Sequence, residues 1–411
     1  MLPKGLTTNP QNDPIYQSLT KLREWTEQNR WKAYDPFDGL SSPYARYFTL
    51  NRPLLKQVWQ QSVRRFPVNL RPFLRVKPSG STKAMGFFAQ GYLRLLETYG
   101  DQEYLGKMKF CLQWLIENRS PGYKGYCWGN HFDYQARAGN IPHGRPTIVW
   151  TGLIAHSFLD AYESIGDIAY LDVALSACEF IVNELGWDEQ REGICLRYIP
   201  DNPSDVHNSN MIGASLLARA NSLRPNPQYL ELAERAVAFT AAHQTGEGGW
   251  YYGVAKKFRW IDSFHTGYVL EALDIFCRCT GNHEHVDVLQ RGYHYFVNTF
   301  FGSDGTPRYY NYKTQPIDIQ CASQGIQTLV HLRRLHPESI QLANKLALWT
   351  IAHMQDSEGY FYFRKYPLIT NKTPTLHWGQ ATMFAALALL DQFVKTSAQD
   401  PVPKRTSARP A

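Results

Sequence analysis

Five short stretches of this chain set a histidine, an acid or an amide at the same point of a recurring pattern. "HGRPT" carries His143 and Arg145; "SDVHNSN" carries Asp205, His207, Asn208 and Asn210. "RWIDSFHTGY" carries Asp262, His265 and Tyr268, "PIDIQCASQG" carries Asp318, Gln320 and Gln324, and "TLHWGQA" carries His377, Trp378 and Gln380. Each stretch opens an apolar segment with helical spacing. Helix capping accounts for the Asp and Asn, but not for three histidines and Trp378. Histidine moves protons near neutral pH. A neighbouring acid such as Asp262 orients it or shares the task. Arginine, here Arg145, holds a carboxylate or polarises a carbonyl. The chemistry this set points to is general acid–base catalysis on a polyol, with His207, His265, His377 and Asp262 as the candidate catalytic groups. Asn208, Asn210, Asp318, Gln324, Trp378 and Gln380 stand beside them as candidate substrate contacts.

A sixth stretch, "GYCWGNHFDYQAR", crowds Trp128, His131, Asp133 and Arg137 between two helix-like segments. It reads as a sugar-facing loop, with Trp128 as a stacking surface and the other three as polar contacts. Cys127, His131 and His143 are too irregularly spaced for a regular zinc site, so neither a metal nor another cofactor is expected. Trp250 and Tyr251 of "GEGGWYYG" offer a further aromatic floor. "QTGEGGW" also fits the Q-x-x-x-G-x-W repeat of terpene cyclases, but no D-x-D-D or D-D-x-x-D accompanies it, so it reads as a structural plug. In "YDPFDGL", Asp35 and Asp38 read first as turn formers.

These groups need a scaffold that brings distant loops together, and the sequence repeats itself in a way that supplies one. "KAMGFFAQGYLRLLETYGDQEYLGKMKFCLQWLIENR" reads as helix, Gly-Asp turn, helix. The same plan recurs from "TIVWTGLIAHSF", "NSNMIGASLLAR", "SFHTGYVLEALD" and "QCASQGIQTLVH", and a final half copy is "HWGQATMFAALALLDQFVK". Copies follow one another at roughly 55–65 residues, longer than most solenoid repeats. The first helix of each pair is apolar nearly all round and rich in small residues, as an inner helix must be. The second is amphipathic, as an outer helix is. Residues 15–31 and 53–66 add two helices at the front. The expected fold is an all-α, single-domain (α/α)6 toroid over residues 80–395. Residues 1–79 pack on it, and 396–411 form a disordered basic tail. The Gly-aromatic loops then lead into inner-helix N-termini at one end of the ring, where free N–H groups favour anionic or hydroxyl-rich ligands.

The 411 residues are 44% hydrophobic and 19% charged, enough for a packed core and against global disorder. The net charge of +7 lies partly in the tail and partly in "QQSVRRFPVNLRPFLRVKP". No nucleic-acid motif accompanies it. Seven scattered cysteines, an odd count without C-x-x-C, fit reduced thiols in the cytoplasm. The run "MFAALALL" is too short to span a bilayer.

The repeat plan resembles the six-hairpin toroid proteins of carbohydrate chemistry, among them N-acylglucosamine and cellobiose 2-epimerases, unsaturated glucuronyl hydrolases and polysaccharide lyases. "YDPFDGLSSP", "VHNSNMIGASLLAR", "WIDSFHTGYVLE" and "PIDIQCASQGIQT" are similar to a bacterial family of exopolysaccharide-biosynthesis loci. The resemblance implies a sugar or polysaccharide substrate, anionic in some relatives, and a place in a polysaccharide-biosynthesis complex. It implies a sugar or uronosyl epimerase in which His265 and His377, two hairpins apart, are the acid–base pair. The alternatives are a glycoside hydrolase or lyase, and a non-catalytic polysaccharide-binding protein.

Overall fold

The computed structural model describes residues 13–136 and 139–399. Helices α1 (Pro14–Gln28), α2 (Ala45–Thr49) and α3 (Pro53–Arg65) come first. Five hairpins follow: α4 (Thr82–Tyr99) with α5 (Gln102–Glu117), α6 (Ile148–Ile165) with α7 (Ile168–Phe180), and α8 (His207–Leu223) with α9 (Pro227–Ala242). Then come α10 (Ser263–Thr280) with α11 (Val286–Phe300), α12 (Ile319–His331) with α13 (Ser339–Met354), and last α14 (Ala381–Gln399). The even-numbered helices from α4 to α14 pack on one another in sequence, and α14 returns onto α4, which closes the ring.

The turns that the Gly-Asp pairs announce are present. Gly100 and Gly166 end α4 and α6 in the left-handed region, with φ of 72° and 74°. The next residues, Asp101 and Asp167, cap α5 and α7 by accepting a backbone N–H. An αL glycine followed at once by an Asx cap reverses the chain in the fewest residues. Small residues then let inner helices meet closely: a Cβ on Gly91 of α4 would stand 2.4 Å from the Phe384 ring of α14.

The half copy at the end of the chain finds its partner at the beginning. Helix α1 packs against α14 and α13 and serves as the sixth outer helix. The division at residue 79 therefore cuts through the ring, because α1 belongs to it. The final helix also runs to Gln399, past the expected start of the tail. Residues 400–411 lie outside the described residues. No helix among the described residues is long and apolar enough to cross a membrane. Residues 34–75, including α2 and α3, lie over the end of the ring where the inner helices begin.

Candidate active site

A cavity of about 700 Å³ occupies that end. All six inner helices contribute to its wall through their first turns or the residues just before them: Lys83, Trp150, Asn208, His265, Gln320 and His377. Gln57, Gln61 and Arg64 of α3 line it from above.

Two carboxylate–imidazole pairs stand in this wall. Asp262 caps α10, its Oδ1 accepting the His265 backbone N–H at 3.0 Å. Its Oδ2 lies 2.7 Å from His265 Nδ1 and also accepts the Trp260 indole N–H at 2.9 Å. With the Nδ1 proton held by the carboxylate, Nε2 is the basic nitrogen. The ring is 21% exposed and borders the cavity. Tyr252 and Phe264 flank it, with centroids at 4.6 and 4.0 Å.

The second pair joins His377 Nδ1 to Asp35 Oδ2, both side chains fully buried. His377 sits on a π-turn, Leu376–Gln380, in which Trp378 departs from helical geometry at φ −103° and ψ 38°. Irregular turns of this kind often carry functional groups. Burial would raise the Asp35 pKa, but attraction to His377 and their hydrogen bond outweigh it, so the carboxyl ends below its usual range. Burial lowers His377, aided by Lys83 and opposed by Asp35. Both shifts favour one state, a neutral imidazole donating Nδ1–H to an ionised Asp35. His377 Nε2 then faces inward with no hydrogen-bond partner in the protein.

Lys83, on the first turn of α4, is fully buried among aromatic faces. Its Nζ lies 5.3 Å from the ring centre of Trp150, 5.4 Å from Trp378, and 5.7 Å from both Phe87 and Tyr268. Burial lowers its pKa to about 7, against the pull of Asp35. Around these groups, Asn130 Oδ1, Asn208 Oδ1, Trp150 Nε1 and Trp378 Nε1 are buried without a hydrogen-bond partner in the protein. Two acceptors and two donors, with His377 Nε2, make a wall whose polar capacity is unfilled. Buried polar groups of native proteins are seldom left so, and hydroxyls, which both donate and accept, match the mixture.

The structure brings His265, His377, Asp262, Asn208 and Trp378 to this cavity. Several other expected site residues are corrected. Trp128 is wholly buried, stacked on Phe158 and donating its indole N–H to the Leu115 carbonyl at 2.8 Å. It is a core residue, and Trp128→Ala should cost about 3–5 kcal/mol of stability, read as a lowered denaturant midpoint. Trp250 is likewise buried, its indole N–H on the Thr240 carbonyl at 2.9 Å. Asn210 ties Leu196 N–H to the Ala236 carbonyl and the Thr240 hydroxyl. Gln380 bonds both backbone groups of Phe361. Asp318 forms a buried ion pair with Arg364 at 2.5 Å. In each case the side chain supplies a partner that buried backbone or charge requires.

His207 is buried between the rings of Phe239 and His243, off the main cavity, and burial lowers its pKa to about 3. His131 lies within reach of the charges of Asp35 and His377, and burial lowers it to about 4. Asp133 is exposed and accepts the His143 backbone N–H, and Arg145 donates to the Pro200 carbonyl. Tyr251 is exposed under the Arg259 guanidinium. Arg137 lies outside the described residues. Gln324 belongs to a second cavity of about 680 Å³ at the opposite end of the ring. There, Arg219 pairs with Asp160 and Glu163, and Arg278 and Arg334 with Asp274.

Asp35 and Lys83 are groups of this candidate site that the sequence reading did not place there. Lys83 had a signal available: it is the one cation in the first turn of an otherwise apolar inner helix, "STKAMGFFAQG". Asp35 had none beyond proximity in sequence to a turn.

The closed ring of six inner and six outer helices is the (α/α)6 toroid. Comparison with solved structures agrees. A sugar epimerase from a ruminal bacterium superposes with a TM-score of 0.62 at 11% identity, over 78% of this chain and 90% of its own. Cellobiose 2-epimerase from Bacillus thermoamylovorans gives 0.60 at 11%, over 92% and 99%. An unsaturated glucuronyl hydrolase specific for heparin gives 0.61 at 12%, over 94% and 97%. No protein-family model and no curated protein sequence matches the chain. At these identities the likeness establishes the fold.

Proposed function

We propose that this chain is a carbohydrate-active enzyme, a sugar or uronosyl epimerase acting in polysaccharide metabolism. The observation that carries the reading is the pair of Asp-oriented histidines opening on one cavity with unfilled hydrogen-bonding capacity. An epimerase breaks a C–H bond beside a carbonyl and remakes it on the other face. One imidazole takes that proton at Nε2 while the other, carrying a proton on its Nε2, returns one to the opposite face, so two imidazoles each oriented through Nδ1 by a carboxylate suit the task. The Lys83 ammonium supplies positive charge for the enediolate oxygen formed between the two steps. Its neighbours are aromatic rings, which hold a charge in place without neutralising it.

The sugar epimerases among the structural neighbours support the same choice. Hydrolysis is less well served. Asp205 and Asp262 are the carboxylates in the wall, and both already accept hydrogen bonds from the protein. A glycosidase pair needs one free acid and one free base or nucleophile. Arg64, held over the Phe37 ring at 4.4 Å, further favours a substrate with a carboxylate.

The test is a proton NMR time course in D2O with reducing uronic-acid and amino-sugar oligosaccharides. The expected outcome is deuterium at one ring carbon of a new epimer, without chain cleavage, and loss of that epimer in His265→Ala. New reducing ends without exchange identify a hydrolase, and an unsaturated sugar identifies a lyase. Tight binding with no chemistry returns the chain to a polysaccharide-binding role.

A further inference from the structure

Residues 39–79 contain no Asp or Glu and eight Lys or Arg, against +7 for the whole chain. Arg71 is spent on an ion pair with Asp38, and Arg64 faces the cavity. Arg46, Arg52, Lys56, Arg65, Arg75 and Lys77 have no ion-pair partner among the described residues, and all but Lys56 are exposed. The same segment carries ten of the seventeen large hydrophobic side chains exposed among the described residues. Tyr47 is 77% exposed, Leu54 70% and Phe73 78%.

These residues form a surface. On α3, Leu54, Leu55 and Val58 face outward, whereas Gln60 and Val63 are buried and Gln57, Gln61 and Arg64 line the cavity. Phe48 of α2 stacks on Trp59 of α3 at 5.4 Å, which joins the two helices. Asn371 donates to the Phe66 carbonyl at 2.8 Å, so the turn carrying Leu368, 99% exposed, stands beside the patch. Scattered apolar residues on a surface are ordinary, but a concentration of this kind marks an interaction site.

We propose that this cap docks on an anionic lipid surface. Long apolar side chains interspersed with unpaired cations, and no acid among them, match acyl chains beneath a layer of phosphates. A second copy would set the same unpaired cations against each other across a two-fold axis, which disfavours it. Nucleic acid would leave Leu50, Leu54 and Leu368 without a partner.

The test is co-sedimentation of the full chain with phosphatidylcholine vesicles, with and without phosphatidylglycerol. Binding should be about tenfold tighter or more to the anionic vesicles and should weaken as salt rises. The double variant Leu54→Asp, Phe73→Asp should lose that binding with an unchanged circular dichroism spectrum, since both side chains are exposed. Arg52→Ala with Lys56→Ala should weaken binding to anionic vesicles only. Equal sedimentation of wild type and the double variant, or none of either, overturns the proposal. Failure to bind vesicles, with a concentration-dependent dimer that the double variant dissolves, overturns it in favour of self-association.

Discussion

His377→Ala and His265→Ala are each expected to lower kcat by about 10³-fold or more, with KM little changed. The two should not multiply. In a reaction that passes a proton out on one face and back on the other, loss of either base stops the same cycle. The double variant should therefore fall little below either single one, measured as product formation. Wash-out of substrate deuterium distinguishes the two: a variant lacking only the returning acid still exchanges its substrate proton with solvent. Asp35→Asn extends the argument to the buried carboxylate. The amide keeps the shape but can present an N–H to Nδ1, which moves the imidazole proton to Nε2 and removes the base. A loss of about 10²-fold or more with intact folding is the expected result. A substitution without effect on turnover would remove His377 from the mechanism.

Lys83→Met should produce an opposite pair of changes, a loss of turnover of about 10²-fold or more and a gain of stability near neutral pH. The stability arm follows from linkage. In the folded state Lys83 takes its proton at about pH 7, and in the unfolded chain at its ordinary value of 10.5. Between these values the unfolded chain holds the proton and the folded one does not, so stability rises with pH across the window. The cost of burying the charge is complete below about pH 7, and Met removes it. The gap in melting temperature between variant and wild type should thus be widest at pH 6 to 7 and narrow towards pH 9. The activity arm carries its own signature: kcat/KM should decline above about pH 7 as the ammonium is lost. A variant as active as wild type, or a gap independent of pH, would reject this assignment.

The ring was legible because its period is written in local terms. Apolar inner helices, Gly-Asp turns and amphipathic outer helices each announce themselves within a few residues. Asp262 and His265 were legible for the same reason, since D-x-x-H at a helix start brings cap and imidazole together through local geometry. The half copy left the sixth outer helix unidentified, because nothing in α1 says that it packs beside α14. Asp35 was hidden in the same way, being 342 positions from His377. The Gly-aromatic loops misled in a different sense. Trp128 and Trp250 carry the composition of a sugar platform, but each indole turns inward to satisfy a helix-end carbonyl. Composition cannot say which side of a loop its aromatic faces.

The seam between α1 and α14 has a consequence for how the molecule is made. A chain emerging from the ribosome at about 5–20 residues per second presents α1 tens of seconds before α14 exists. Throughout that interval the growing arc has two open flanks, with the greasy sides of α4 and α1 uncovered. Asp35 waits equally long for His377, so the buried pair forms only when the ring closes. Closure is a race between a chain's own last helix and that of a neighbour on the same message. An α14 seated in another molecule's gap would give an interlocked pair, each ring complete and each carrying the other's imidazole.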